Sequence, residues 1–241
     1  MIDIHCHLLP GIDDGAVTIE QSVALARHAV ADGITHMVLT PHIQPGVYDN
    51  DLHSIKQAFD LFQSALIAHG VALNVAMAAE VRICPEILSM LESGTLPLFV
   101  GCDGQKTMLL ELPHSHVPPG TDQIIRWLMA QGIVVLIAHP ERNKDLMRKV
   151  SKIESLVDLG CKLQITAGSV AGRFGEQPRS VAEHILKQGW CELLASDAHN
   201  LIHRPPQLSD GEKAAATIIG KEEAAKLVRH APMRIVAGMF T

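Results

Sequence analysis

Apolar positions along this chain follow two periods in alternation. Over TIEQSVALARHAVADG (18–33) they recur every three or four residues, behind a Thr18/Gln21 capping-box pattern and ahead of a glycine stop, which predicts a helix. ITHMVLT (34–40) follows as a strand, then a helix over 51–69 ending at Gly70, then VALNVAMAAEV (71–81) as another strand. Further strands are expected at MLLEL (108–112), IVVLIAH (133–139), CKLQIT (161–166) and CELLAS (191–196), separated by helices at 121–131, 144–159 and 178–188. With the opening MIDIH, seven strands alternate with helices. This predicts an α/β protein with a parallel sheet, because parallel neighbours need crossover connections. From residue 210 onward the pattern reads as two or three short helices, punctuated by Gly220 and Pro232.

The titratable residues fall at consistent places in this pattern. His5 and His7 close the first strand, and their H-x-H spacing puts both on one side of it. Asp13 and Asp14 follow a Pro-Gly turn that can fold back toward them. His42 follows the second strand, Glu80 ends the third, Glu111 lies in the fourth and His139 ends the fifth; Asp197 and His199 follow the seventh. The strand at 161–166 offers Gln164 and Thr166, either of which could meet a substrate. In a closed parallel barrel all these ends share one face. Singly, each has a structural reading: His42 as a hydrogen-bonding residue, Glu80 and Glu111 as salt-bridge partners, Asp13-Asp14-Gly15 as a turn. Jointly they point to a metal site, since burying so many titratable groups without a metal or dense pairing is costly. His28, His69, His184 and His230 lie in helical patterns and read as solvated or capping residues. His36 reads as core, and His114 and His116 follow the fourth strand in PHSHV, where contact with substrate is the lesser of two readings.

Composition narrows the chemistry. The 241 residues are 47% hydrophobic but only 3% aromatic, so the core is expected to be aliphatic, and no linker divides the chain into separate domains. The net charge of −6 and the lack of a Lys/Arg run argue against nucleic acid as a partner. The longest strongly apolar run, 133–138, is too short to span a bilayer, so no stable membrane insertion and a cytoplasmic location are expected. Cys6, Cys84, Cys102, Cys161 and Cys191 are scattered and odd in number, which argues against a disulfide framework or a thiolate zinc site. None has an arginine six positions on, which removes the C-x5-R thiolate-phosphatase mechanism.

The stretches DIHCHLLPGIDDG, TPH, AAEV, LLELP, AHPER, QITAGSVAGRFG, SDAHN and HRPP cover most of residues 1–206. Together they resemble the polymerase and histidinol phosphatase (PHP) superfamily, and within it the bacterial capsular-polysaccharide tyrosine-protein phosphatases. The resemblance implies a distorted seven-stranded (β/α) barrel of TIM-like form, here a single domain over 1–241, with a centre of two or three divalent metals. It carries ligand roles to His5, His7, Asp14, His42, Glu80, Glu111, His139, Asp197 and His199, and phosphate-binding roles to Arg142 and Arg204. It also implies a tyrosine-phosphorylated protein substrate, such as the tail of a capsule or exopolysaccharide kinase.

Three divalent ions against the carboxylates of Asp14, Glu80, Glu111 and Asp197 would leave a formal excess of about +2, which suits a phosphate dianion. Mixed imidazole and carboxylate donors favour manganese, with iron or zinc as alternatives. The expected reaction is in-line attack on phosphorus by a metal-bridging hydroxide, with the arginines gripping the other oxygens. Two rivals share the metal site: a histidinol-phosphate-type small-molecule phosphatase, and a non-catalytic metal-binding module of an envelope or polymerase assembly. An amidohydrolase would use a carbamylated lysine on strand four, where this chain offers Glu111.

Overall fold

The computed structural model describes residues 1–240. After β1 (Ile2–Asp3) comes α1 (Ile19–Ala31), capped as expected: Thr18 accepts the Gln21 amide at 3.4 Å. The Gln21 side chain returns to the Val17 amide at 2.9 Å, one residue earlier than a capping box would place it. The strand expected over 34–40 is shorter and is followed by a second segment, giving β2 (His36–Leu39) and β3 (His42–Ile43). In α2 (Leu52–Ala68), Asp51 and Ser54 cap each other reciprocally, and Ile55, Ala58, Phe62 and Leu66 form the buried stripe.

The strand expected over 71–81 is likewise two, β4 (Asn74–Met77) and β5 (Glu80–Arg82), which pair in different sheets. The sequence pattern did not separate α3 (Ile87–Glu92) and β6 (Phe99–Val100) from their surroundings. Next come β7 (Lys106–Glu111), α4 (Thr121–Ala130) and β8 (Ile133–Ala138). The helix expected over 144–159 is broken into α5 (Lys144–Arg148) and α6 (Ser151–Asp158), because Lys149 leaves the helical region at φ −140° and ψ 87°. After β9 (Lys162–Thr166) lies a short α7 (Ala167–Val170), then α8 (Glu176–Lys187) and β10 (Cys191–Ala195). The chain finishes with α9 (Ser209–Ile219), α10 (Lys221–Leu227) and α11 (His230–Val236). Gly220 separates the first two of these, but Pro232 does not punctuate. It sits in the first turn of α11, where its missing N–H removes no helical bond.

The strands form two parallel sheets, in the orders β1-β2-β4 and β10-β9-β8-β7-β5-β3, with β6 antiparallel on β7. Backbone bonds join the sheets between β1 and β10 and continue the pairing where the β2–β3 and β4–β5 runs change sheet. Asp197 N–H donates to His5 O and His7 N–H to Ala198 O, both at 2.8 Å; on the other side, Ala78 N–H donates to Leu39 O at 2.8 Å and Glu80 N–H to Pro41 O at 3.1 Å. Strand side chains alternate between two apolar clusters. Leu110, Ile137, Leu163 and Leu194 pack with the helices, whereas Leu109, Leu136 and Leu193 pack with Ile4, Val38 and Phe99. Val236 of α11 joins the second cluster at the end opposite the strands' carboxyl termini. No helix among the described residues is long and apolar enough to cross a membrane.

Candidate metal centre

All nine expected ligands meet where the strands end. His5 and His7 lie beyond β1, Glu111 closes β7, His139 follows β8, and Asp197 and His199 follow β10. His42 follows β2 as expected but also opens β3, and Glu80 opens β5 where it was expected to end a strand; the two face each other in register. His139 and Asp197 have positive φ values of 32° and 52°, the only non-glycine residues to do so among those described. Backbone strain of this kind collects at functional sites.

Glu80 is the hub. Its Oε2 lies 3.2 Å from His5 Nε2, 3.3 Å from His7 Nε2 and 3.0 Å from His42 Nδ1, while its Oε1 accepts from His139 Nε2 at 2.8 Å. Asp197 Oδ1 lies 3.3 Å from His5 Nε2, and Asp14 Oδ1 is 3.3 Å from both His42 Nε2 and His199 Nε2. Three overlapping groups could each hold a cation: His5, His7, Glu80 and Asp197; His7, Asp14, His42 and His199; and His42, Glu80 and Glu111.

The donor atoms test the fit of metal ions. His42 Nδ1, Glu80 Oε2, Asp197 Oδ1 and His199 Nε2 are buried without a hydrogen bond, though they lie close together. Buried polar atoms are normally paired; atoms that converge without pairing suit a shared cation. Electrostatics agree. Burial favours the neutral acids, yet His5 and its neighbours hold Glu80 and Asp197 well below the usual carboxylate range, and Asp14 is lowered by His199 and His42. Glu111 goes the other way, pushed up to about 7 by burial and the charge of Glu80.

A layer behind the ligands fixes their orientation. His5 Nδ1 bonds Gln164 Oε1 at 2.7 Å, and His7 Nδ1 bonds Asp13 Oδ2 at the same distance. Asp13 Oδ2 also accepts the His42 amide, and Oδ1 accepts that of Gly15. Such partners set the tautomer, leaving the Nε2 of each ring free for a metal. Arg82 donates to Glu111 at 2.7 Å. Glu141, fully buried, accepts from the Thr166 amide and the Ser169 hydroxyl, which ties the loop carrying Arg142 to β9 and α7. Sequence reasoning missed Asp13's separate task, Arg82 and Glu141. The DDG spacing and the acid inside AHPER were the available signals.

Arg142 and Arg204 stand beside the cluster, each donating to Asp197 Oδ2. Both are mostly buried, and the Arg142 guanidinium lies 4.6 Å over the Phe174 ring. Both line a cavity of about 350 Å³ that also reaches Asp14, His42, Tyr48, Glu80, Glu111 and His139. His114 lines it too, whereas His116 bonds Ser115 at the exposed surface. Thr166 Oγ1 is buried beyond it, so of the two residues on that strand it is Gln164 that serves the site, through His5. His36 is partly exposed at the start of β2 and packs on Phe240, not in the core. No cysteine lines the cavity, and burial pushes the thiols of Cys6, Cys84, Cys161 and Cys191 up, away from the reactive thiolate form.

Parallel strands that deliver imidazoles, carboxylates and two arginines to one cavity define an α/β protein of the metal-dependent hydrolase kind. The chain belongs to the CpsB/CapC family of capsular polysaccharide synthesis proteins, which matches residues 1–237. It is 38% identical to the tyrosine-protein phosphatase YwqE of Bacillus subtilis over 201 residues, 83% of this chain and 78% of that protein. With the tyrosine-protein phosphatase CpsB of Streptococcus pneumoniae it shares 29% identity, over 98% of both chains. A crystal structure from work on these two proteins, described as unique metal-dependent tyrosine phosphatases, superposes with a TM-score of 0.90 at 34% identity, covering 98% of this chain and 94% of that one.

Proposed function

We propose that this chain is a metal-dependent protein-tyrosine phosphatase. The observation that carries the reading is the convergence of three His/carboxylate clusters beside two arginines on one cavity, in a chain related to phosphatases of that name. His5, His7, Asp14, His42, Glu80, Glu111, His139, Asp197 and His199 would hold two or three divalent ions, with manganese favoured by the mixed nitrogen and oxygen donors and iron or zinc as alternatives. Bound there, such ions supply Lewis acidity and water activated near neutral pH. The remaining work falls to the chain. Arg142 and Arg204 present planar forks to the non-bridging phosphate oxygens, and Phe174 braces the first of them. Asp13 and Gln164 keep the imidazoles of His7 and His5 aimed at the centre, and Glu141 holds the Arg142 loop in place.

The same reading treats residues 1–241 as one domain in which the two sheets close into a distorted (β/α)7 barrel. Supporting it, β10 meets the chain after β1 through the Cys6–Ala198 bridge, and the β2–β3 and β4–β5 runs each pass from one sheet to the other. The substrate is a tyrosine-phosphorylated protein, for which the tyrosine-rich tail of a capsule or exopolysaccharide kinase is the candidate, met in the cytoplasm where this chain is placed.

The test is hydrolysis of a phosphotyrosyl peptide by metal-reconstituted protein. Turnover should be lost to a chelator, restored by Mn²⁺ and insensitive to replacement of all five cysteines. Preference for histidinol phosphate over the peptide would favour the small-molecule alternative, and no turnover of either by metal-loaded protein would defeat the enzymatic reading.

A further inference from the structure

One element of the cavity has no task in the chemistry described above. Between β3 and α2 the chain makes a tight loop: Gln44 N–H donates to Tyr48 O at 2.9 Å, Tyr48 N–H returns to Gln44 O at 2.8 Å, and Gly46 turns the backbone at φ 80°. Asn50 pins the loop by donating to Ile12 O and His42 O at 2.8 and 2.9 Å. At its tip Val47 is 60% exposed, and both Val47 and Tyr48 line the cavity.

Tyr48 is the only tyrosine in a chain poor in aromatic residues. Its ring stacks on that of His42, with centroids 5.4 Å apart and planes 12° from parallel, and its hydroxyl makes no hydrogen bond to another described residue. A ring held flat by a rigid loop, beside an exposed valine and open to the cavity, is a platform for another ring. The two arginines fix where the phosphate goes, and the cavity is large enough for a phenyl phosphate. Because the arginines, Val47 and Tyr48 line one cavity, an aryl group bonded to phosphate at the arginines can lie against this wall, while a short alkyl ester contacts it less.

Resting on the phosphatase reading, we propose that Tyr48 and Val47 form the aryl-recognition wall of the site, selecting phosphotyrosine over alkyl phosphates by stacking and apolar contact with the substrate ring. The preference is therefore written in the loop 44–50, apart from the groups that hold metal or phosphate.

The experiment compares kcat/KM for a phosphotyrosyl peptide and the matching phosphoseryl peptide, together with inhibition by phenylphosphonate and methylphosphonate, in Mn²⁺-loaded wild type, Tyr48→Ala, Tyr48→Phe and Val47→Ser. Tyr48→Ala should lower the aryl-to-alkyl ratio roughly 10-fold, as expected for loss of an aromatic pair and its buried area. Tyr48→Phe should keep the ratio, and Val47→Ser should lower it a few-fold. Phenylphosphonate should lose affinity in parallel while methylphosphonate does not. Equal losses on both peptides would overturn the proposal. If Tyr48→Ala sheds metal through its contact with His42, Val47→Ser decides alone: an unchanged ratio there also overturns it. A wild type without phosphotyrosine turnover would instead defeat the phosphatase reading itself.

Discussion

Asp13 and Asp14 are adjacent and chemically identical, yet the fold gives them different tasks. Asp14 is half exposed and points its Oδ1 at His42 and His199, while Asp13 is spent on the backs of His7 and His42. The tyrosine-phosphatase resemblance favours Asp14 as the ligand, but nothing in the residue pattern separates the pair, because the difference depends on which way a turn of glycine and aspartate folds. Asp13→Asn should therefore leave all nine donor side chains present and still weaken metal binding by about 10- to 100-fold, the usual consequence of losing the carboxylate behind a ligating histidine. Competition with a fluorescent chelator measures it, and an unchanged affinity would remove Asp13 from the metal's support. The arginines make the complementary case. Arg142→Ala or Arg204→Ala should retain metal by elemental analysis but lose about 10- to 150-fold in kcat/KM on phosphotyrosyl peptide, since a charge-assisted contact contributes roughly 1.5–3 kcal/mol. Lysine should rescue only in part, as it keeps the charge without the fork. Full activity in both alanine variants would end their assignment to phosphate.

Elements were legible where one face carries the pattern and illegible where packing decides. The α1 and α2 stripes were plain in the sequence, and so were β7 and β8, largely apolar runs buried on both faces, and β9 and β10, shorter runs with a polar residue among apolar ones. The break at Ala78–Ala79 was not, because apolar residues continue through it and only the change of sheet partner ends β4; at Pro41 the end of β2 was legible, and what was missed is the short β3 beyond it. Those breaks matter, since they place His42 and Glu80 at the starts of β3 and β5, in register with one another. Gly15 shows the same kind of constraint in a loop. A Cβ there would lie 2.0 Å from the His7 carbonyl oxygen, and the Gly15 N–H is already bonded to Asp13. Gly15→Ala must push the 10–16 loop off His7. It should cost about 1–3 kcal/mol, typical of overpacking, and also weaken metal binding by disturbing Asp13. Thermal melts of metal-free and metal-loaded protein separate the two effects: a lowered apo Tm with a normal metal-induced rise would show that the loop matters for packing alone.

At the scale of the whole molecule, protons and metals compete for one buried cluster, and the competition has a sign. Burial works against a charged His42, but Glu80 and Asp14 outweigh it and raise its pKa to about 10 in the metal-free fold, from 6.5 for an ordinary imidazole. His5 and His7 are raised as well. A raised basic group stabilises the fold fully below its unfolded pKa and loses that contribution as pH climbs through the folded value. The metal-free protein should thus lose stability between about pH 6.5 and 10. His139 and His199 are lowered to about 4 by burial and neighbouring positive charge, so their contribution changes in the acid range below 6.5 and leaves this window alone. Metal needs the same imidazoles neutral, so binding expels their protons and strengthens as pH rises. The two trends diverge. With metal at about a thousand times its dissociation constant the ligand contributes roughly 4 kcal/mol, which for a chain of this size is a rise of about 8–16 °C in Tm. The gap between loaded and stripped Tm should therefore widen from pH 7 to pH 9.5, read by scanning calorimetry at fixed free Mn²⁺. A gap that narrows with rising pH would mean that the cluster does not bind metal through these histidines.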